Sequence, residues 1–481
     1  MSRQFGLYER YSLARTLVGT APILAFLVNL PETAKEVQKD DVELAVAELL
    51  RRYPILRCAV EGAQTREPRY VTNEKLSPSN VVEVREEDGE RPEVLLRRGM
   101  EEGKGFDLEK GPLWKVVLFG EGKNVESKQR ILLVLNHVLS DGTGTRNLFA
   151  ELISLLHTPP SSPPSSKDSI TTLPSTQEST VDLRPSYTHM ARVIFAELIV
   201  PRLPAFLQSN PSPPCWPNPP LVKPLDQPTG IKHLSIPRIV VAVMKGEGQC
   251  NYIKTLHPIL HTAAIASLVI TLSKNGSTSL PPITGMTPLS IRTSALGHPS
   301  ATGNYVDDLP SSSLSSSFSL DTPFWPACRE YATQLVNRPK GQSGMGMLAF
   351  IPDPPLSGAE GEKTGFEKFV EEKCASQTPF SASFEVSNLG VLPPTGWDRA
   401  EDKPTGGIEV CWAQTATAFG PALLLNALTP RNGELNITLT WRKDAIPDEE
   451  VDAFWETYKK VLPRIASSAI GTNPTFGQML E

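Results

Sequence analysis

Apolar positions along the chain follow two alternating rhythms. In "DVELAVAELLRRYP", Asp41 to Pro54, Val42, Val46, Leu49 and Tyr53 recur three and four residues apart, which predicts a helix beginning at Asp41 and stopped by Pro54. The stretch before it, "TAPILAFLVNLP" from Thr20 to Pro31, is continuously apolar and too short to span a bilayer, which takes ~20 residues, so it reads as a buried strand. "ILLVLN", Ile131 to Asn136, predicts another strand, ending at His137, and Leu148, Leu152 and Leu155 then recur at helical spacing. In the second half, "HLSIPRIVVAVMKG" (His233 to Gly246) reads as a strand. "TLHPILHTAAIASLVITLSKNG" (Thr255 to Gly276) reads as a buried helix ending at Gly276. Leu435, Ile437, Leu439 and Trp441 alternate with polar residues behind Asn432-Gly433, the signature of a hairpin. "PDEEVDAFWETYKKVLP" predicts a last helix, with acids first, Lys459 and Lys460 late, and Val451, Phe454, Trp455 and Tyr458 inward.

Two Pro/Ser-rich patches interrupt this pattern. Residues 158–186 are too polar and too rich in proline to bury anything and are expected to form a disordered insertion. Residues 208–228 read as a semi-extended linker that divides the chain into subdomains 1–220 and 221–481. Between the patches, Met190 to Leu207 is apolar. Arg192, Glu197 and the breaks at Pro201 and Pro204 argue against a membrane span and for a helix packed on the core. The pattern as a whole predicts two mixed α/β units.

Composition narrows the function classes. A chain of 481 residues exceeds the ~250–300 at which single cores stop growing, consistent with two cores. The formal net charge of -6, with no Lys/Arg-rich tract, gives no field for nucleic acid. Six cysteines without C-x-x-C spacing or histidine neighbours indicate neither a zinc site nor a disulfide framework, and a cytoplasmic location is expected, with peripheral contact to endoplasmic reticulum or lipid droplets left open.

Chemistry concentrates at "NHVLSDG", Asn136 to Gly142. Histidine titrates near neutral pH and can take a proton at hydrogen-bond distance, and the end of a strand is a rigid mount for it. Asp141-Gly142 offers a turn out of that strand, with glycine supplying unusual backbone angles. Seven histidines and 33 glycines would produce His-x-x-x-Asp-Gly by chance only a few hundredths of a time.

This stretch resembles the active-site signature of the acyl-CoA-dependent acyltransferases that include chloramphenicol acetyltransferase, condensation domains and alcohol O-acetyltransferases. "YERYSLAR" (Tyr8 to Arg15), "TPLSIR" (ending at Arg292), "GNYVDDLP" (from Gly303) and "FEVSNLG" (from Phe384) fall in the order of the alcohol acetyltransferase branch. The resemblance implies an α+β fold of two chloramphenicol-acetyltransferase-like subdomains with a channel between them. It implies His137 as general base, Asp141 and Gly142 as structural residues, Arg292 as the partner of Asp141, and Ser387 or Asn388 as oxyanion donor. Phe419-Gly420-Pro421 would be structural. The co-substrate would be acetyl-CoA or another acyl-CoA, with no bound cofactor and no metal. The acceptor would be a small or medium alcohol, or in the alternative an amine. The fold could also serve a non-catalytic binding protein. A monomer is expected.

Other chemistries lack their motifs. "GQSGMG" from Gly341 misses hydrolase-elbow spacing, and "GEGQCN" from Gly246 fails the dinucleotide pattern. His257 and His261 have the spacing of a metal pair but no third ligand nearby in sequence, and read as a packed or surface pair.

Overall fold

The strand that carries the histidine lies at the centre of the first of two large sheets. The computed structural model describes the chain except at residues 33, 87–88, 121–128, 160–171, 196–198, 201–202, 204–213, 275–279, 293–301, 311–317, 339–340, 360, 401–405, 468–471 and 481. Its strands are β1 (Ser2–Gln4), β2 (Ile23–Asn29), β3 (Cys58–Glu61), β4 (Arg69–Thr72), β5 (Val82–Arg85), β6 (Trp114–Phe119) and β7 (Arg130–Asn136). They continue as β8 (Thr229–Ile236), β9 (Gly285–Ser290), β10 (Val306–Pro310), β11 (Phe380–Val391), β12 (Glu409–Gln414), β13 (Gly420–Thr429) and β14 (Leu435–Arg442). The first lobe holds a mixed sheet ordered β12-β2-β7-β6-β5 and a small sheet β1-β4-β3; the second holds a mixed sheet ordered β10-β9-β11-β13-β14-β8.

Helices cover both faces of the first sheet and bury a core against the second. In the first lobe Val42, Val46 and Leu49 of the helix Lys39–Arg52 pack with Leu148 and Leu152 of the helix Gly142–His157 against Phe26 and Leu133. The opposite face is covered by Leu95, Leu96 and Met100 of the helix Pro92–Gly103. In the second lobe Ile265 and Val269 of the helix Leu256–Lys274 join Val451, Phe454 and Tyr458 of the helix Asp448–Ser467 over Phe384, Leu425 and Leu439. The helix Leu256–Lys274 is long and apolar enough to cross a membrane, yet every residue from Pro258 to Leu272 is buried in this core. Asn432, at positive φ, turns the hairpin β13–β14.

Four sequence expectations require correction. The expected strand His233–Gly246 ends at Ile236; Pro237 then caps a helix, Arg238–Cys250, whose buried residues Met244, Glu247 and Gly248 have helical spacing. Its β-branched residues mimicked a strand, but Ile239 and Val243 are exposed. Within 158–186, residues 160–171 lie outside the described part. The remainder is packed rather than disordered: Gln177 donates to Val306 O at 2.6 Å and Leu183 is buried. The helix expected over Met190–Leu207 is seen as Tyr187–Ile194 with no buried residue, so it does not pack on the core; residues 196–198, 201–202 and 204–207 lie outside the described part. The division of the chain near residue 220 is crossed by β12, which pairs with β2 in register Trp412↔Phe26 and so adds a late strand to the first sheet.

Candidate active site

The backbone of His137 is fixed where β7 ends: its N–H donates to Pro22 O at 2.9 Å, and the residue is only 9% exposed. After a short turn Asp141 takes the N-cap position of the helix Gly142–His157, where its Oδ1 accepts from Gly144 N at 2.8 Å. Gly142 is therefore ordinary helix, and the expectation of unusual backbone angles there does not hold. Space decides the glycines instead. A Cβ on Gly142 would lie 3.1 Å from Leu389 Cδ2, whereas one on Gly144 would lie 2.4 Å from Ser140 Oγ and 2.5 Å from Arg292 Nη2.

Arg292 reaches this cap from the second lobe. Its Nη1 lies 2.5 Å from both carboxylate oxygens of Asp141, and its Nη2 donates to Thr302 O at 2.8 Å and Gly303 O at 2.7 Å. Tyr305 N donates to Asp141 Oδ2 at 2.7 Å. Asp141 thus ties together a helix start, an arginine and the segment Thr302–Tyr305, where Thr302 and Gly303 both adopt positive φ. Ser140 forms a bridge with Gly303, so the two lobes are joined directly beside the histidine.

Asn304, inside "GNYVDDLP", sits against the imidazole. Its Nδ2 lies 3.0 Å from His137 O and 2.9 Å from Val138 O. Two carbonyls require the NH₂ group at that position, which leaves Oδ1 facing His137 Nδ1 at 3.1 Å. An amide oxygen accepts, so the proton sits on Nδ1 and Nε2 keeps its lone pair. Tyr8 Oη lies 3.4 Å from Nε2. Burial holds the imidazole well below its usual range, at about 4, with the Asp141 charge opposing and Arg15 adding to the shift, so it is neutral at pH 7.

His137 faces a cavity of about 900 Å³ between the lobes. Tyr8, Tyr11 and Arg15 of the helix Leu7–Leu17, given no role in the sequence reading, line one wall; their spacing in "YERYSLAR" puts them on one helical face. Ser387 and Asn388 of β11 line the opposite wall. The Ser387 hydroxyl has no hydrogen-bond partner among the described residues, while Asn388 Oδ1 accepts from Gly390 N at 2.9 Å, which ties that side chain into its own turn. Phe419, Gly420 and Pro421, expected to be structural, also line the cavity. His257 and His261 lie elsewhere, in the second core. His261 stacks on Tyr331 at 3.6 Å between ring centroids, and His257 Nε2 lies 3.0 Å from Thr287 Oγ1.

Two family models match the chain, a condensation domain over residues 29–168 and an alcohol acetyltransferase over residues 105–268. Over these segments the chain is similar to the alcohol acetyltransferase family and to condensation domains. A relative from Fusarium pseudograminearum, the probable alcohol acetyltransferase FCK4, is 26% identical over 169 residues; that match spans 33% of this chain and about a third, 31%, of the relative's length. TRI3 trichothecene 15-O-acetyltransferase from Fusarium sporotrichioides superposes with a TM-score of 0.65 at 13% identity, covering 97% of this chain and 94% of that one. The condensation domain of the monacolin K polyketide synthase MokA gives 0.58 at 13% identity, covering 98% of each chain. The EpoB cyclization-docking bidomain from Sorangium cellulosum gives 0.59 at 15% identity over 98% of this chain and 86% of that one. At such identities the solved structures show a shared fold and nothing more specific.

Proposed function

We propose that this protein is an acyl-CoA-dependent O-acyltransferase, in the simplest case an acetyltransferase, that transfers an acyl group from the CoA thioester directly to a small or medium alcohol. The observation that carries this reading is the Nε2 lone pair of His137, fixed by Asn304 and open to a cavity that both lobes line. The similarity to the alcohol acetyltransferase family adds the expectation of an acyl-CoA donor. In the proposed step the acceptor hydroxyl occupies the position beside Tyr8 Oη, gives its proton to His137 Nε2, and its oxygen attacks the thioester carbonyl carbon. The resulting oxyanion accepts a hydrogen bond from Ser387, which is preferred over Asn388 because its hydroxyl is unengaged. Collapse breaks the C–S bond, the thiolate takes the proton from the imidazolium, and ester and free CoA leave. The low basicity of the buried imidazole fits a base that must start neutral and return its proton at once.

The test is acetyl-CoA with a panel of alcohols and amines, following free thiol and product, for the wild type and His137→Ala. Loss of ~10²–10⁴ in rate is expected for the variant. Thiol release unchanged in His137→Ala would overturn the mechanism, transfer to amines alone would make the enzyme an N-acyltransferase, and no turnover in the wild type would favour a binding protein.

A further inference from the structure

β11 carries a second group on the face that holds Ser387. Glu385 lies two residues earlier, and side chains two apart on a strand point the same way, about 6.8 Å apart along it. Both line the cavity. Behind Glu385 runs a chain of buried polar groups. Gln414 Nε2 donates to Glu385 Oε1 at 2.9 Å and to Asn426 Oδ1 at 3.0 Å, Asn426 Nδ2 donates to Thr438 Oγ1 at 3.2 Å, and Thr438 Oγ1 donates to Trp412 O at 2.7 Å. Asn426 and Thr438 are fully buried. Both protons of the Gln414 amide are spent, so its orientation and that of the carboxyl are fixed. The chain ends at Glu385 Oε2, which has no protein hydrogen-bond partner among the described residues. Arg15 lines the same cavity and forms no ion pair with Glu385 or any other described carboxylate.

We propose that the acceptor carries a second hydroxyl, placed along the cavity from the reacting one, which donates to Glu385 Oε2. The substrate class is then a diol or polyol on a largely apolar skeleton, since Tyr8, Tyr11, Leu348, Phe419 and Leu424 supply much of the surrounding wall. Ser387 donates to the oxyanion, two bonds from the attacking oxygen, so a second oxygen four or five carbons along the acceptor reaches roughly the ~6.8 Å that separates Ser387 from Glu385 along the strand. A carboxyl held in this way discriminates, because an acceptor without the second hydroxyl leaves it unpaired. Burial, opposed by the Gln414 hydrogen bond and the Arg15 charge, raises the Glu385 carboxyl to about 7.

The proposal rests on the reading of the cavity as an acceptor site, and direct binding separates the two. Calorimetry without any acyl donor compares 1,5-decanediol with 1-decanol on the wild type, Glu385→Gln and Glu385→Leu, with thermal unfolding as a check of folding. The wild type is expected to bind the diol ~10–100-fold more tightly, a ratio that falls several-fold in Glu385→Gln and approaches one in Glu385→Leu. Equal affinities in the wild type, or an unchanged ratio in Glu385→Leu, overturn the proposal. A diol preference in a protein that transfers no acyl group leaves the proposal standing and removes the catalytic reading; transfer without the preference does the reverse.

Discussion

Replacing Arg292 by alanine should weaken both the fold and the chemistry, by amounts that follow from its contacts. The side chains of Asp141 and Arg292 are 3% and 11% exposed, so the substitution leaves a carboxylate buried with only Gly144 N and Tyr305 N as donors, removes the side-chain donor to Thr302 O, and leaves Gly303 O with Asp141 N alone. Breaking such a buried pair costs about 3–5 kcal/mol. At ~2.1 cal/mol/K per residue, a lobe of ~240 residues unfolds with an entropy of ~0.5 kcal/mol/K, so Tm should fall by about 6–10 °C, or about half that if the lobes unfold together. Activity should fall further than stability explains, because the segment Thr302–Tyr305 carries Asn304, which orients His137. Asp141→Asn with Arg292→Met removes both charges and should recover part of the Tm without recovering activity. Scanning calorimetry and thiol release on purified variants provide the readouts. A Tm within 1 °C of the wild type together with full activity for Arg292→Ala would refute the view that this pair holds the histidine turn.

Gly144→Ala, whose Cβ would press on Ser140 Oγ and Arg292 Nη2, should destabilise by about 1–3 kcal/mol, whereas Gly142→Ala should cost under ~1 kcal/mol; thermal unfolding that ranks them in the opposite order contradicts the steric argument. Ser387→Ala should lower kcat by ~10²–10³ with little change in KM, and an effect on KM alone would make Ser387 a binding residue. The His137 pKa is lowered from 6.5 to about 4, so its contribution to stability is complete above 6.5 and is lost as pH falls through 4; kcat/KM on a monohydroxy acceptor, measured in Glu385→Gln to remove that titration, should stay flat down to about pH 5. An inflection near 6.5 would mean that the imidazole is solvated.

What the sequence made legible was what periodicity and local spacing encode. β7 ending at His137, the hairpin at Asn432-Gly433 and the helix Asp448–Ser467 all write their burial into alternation or three-four spacing. Arg292 against Asp141 came from family resemblance, since no local rule joins positions 151 residues apart. Asn304 escaped because its role depends on two positive-φ residues before it, Thr302 and Gly303, that swing its amide onto the histidine carbonyls. Glu385 escaped for the same kind of reason: its fixed carboxyl depends on Gln414, which reaches it because β12 leaves the second half of the chain to join the first sheet. Arg238–Cys250 was misread because β-branched residues on an exposed helix face imitate a strand when only composition is counted.

The central claim is that His137 presents an unprotonated Nε2 to the cavity. Nitrogen NMR of protein labelled at histidine, with His137→Asn used to assign the signal, reads this directly at pH 7. The account predicts a neutral ring with its proton on Nδ1, a lone pair on Nε2, and no titration until the pH nears 4. A proton found on Nε2, or an imidazolium at neutral pH, would contradict it.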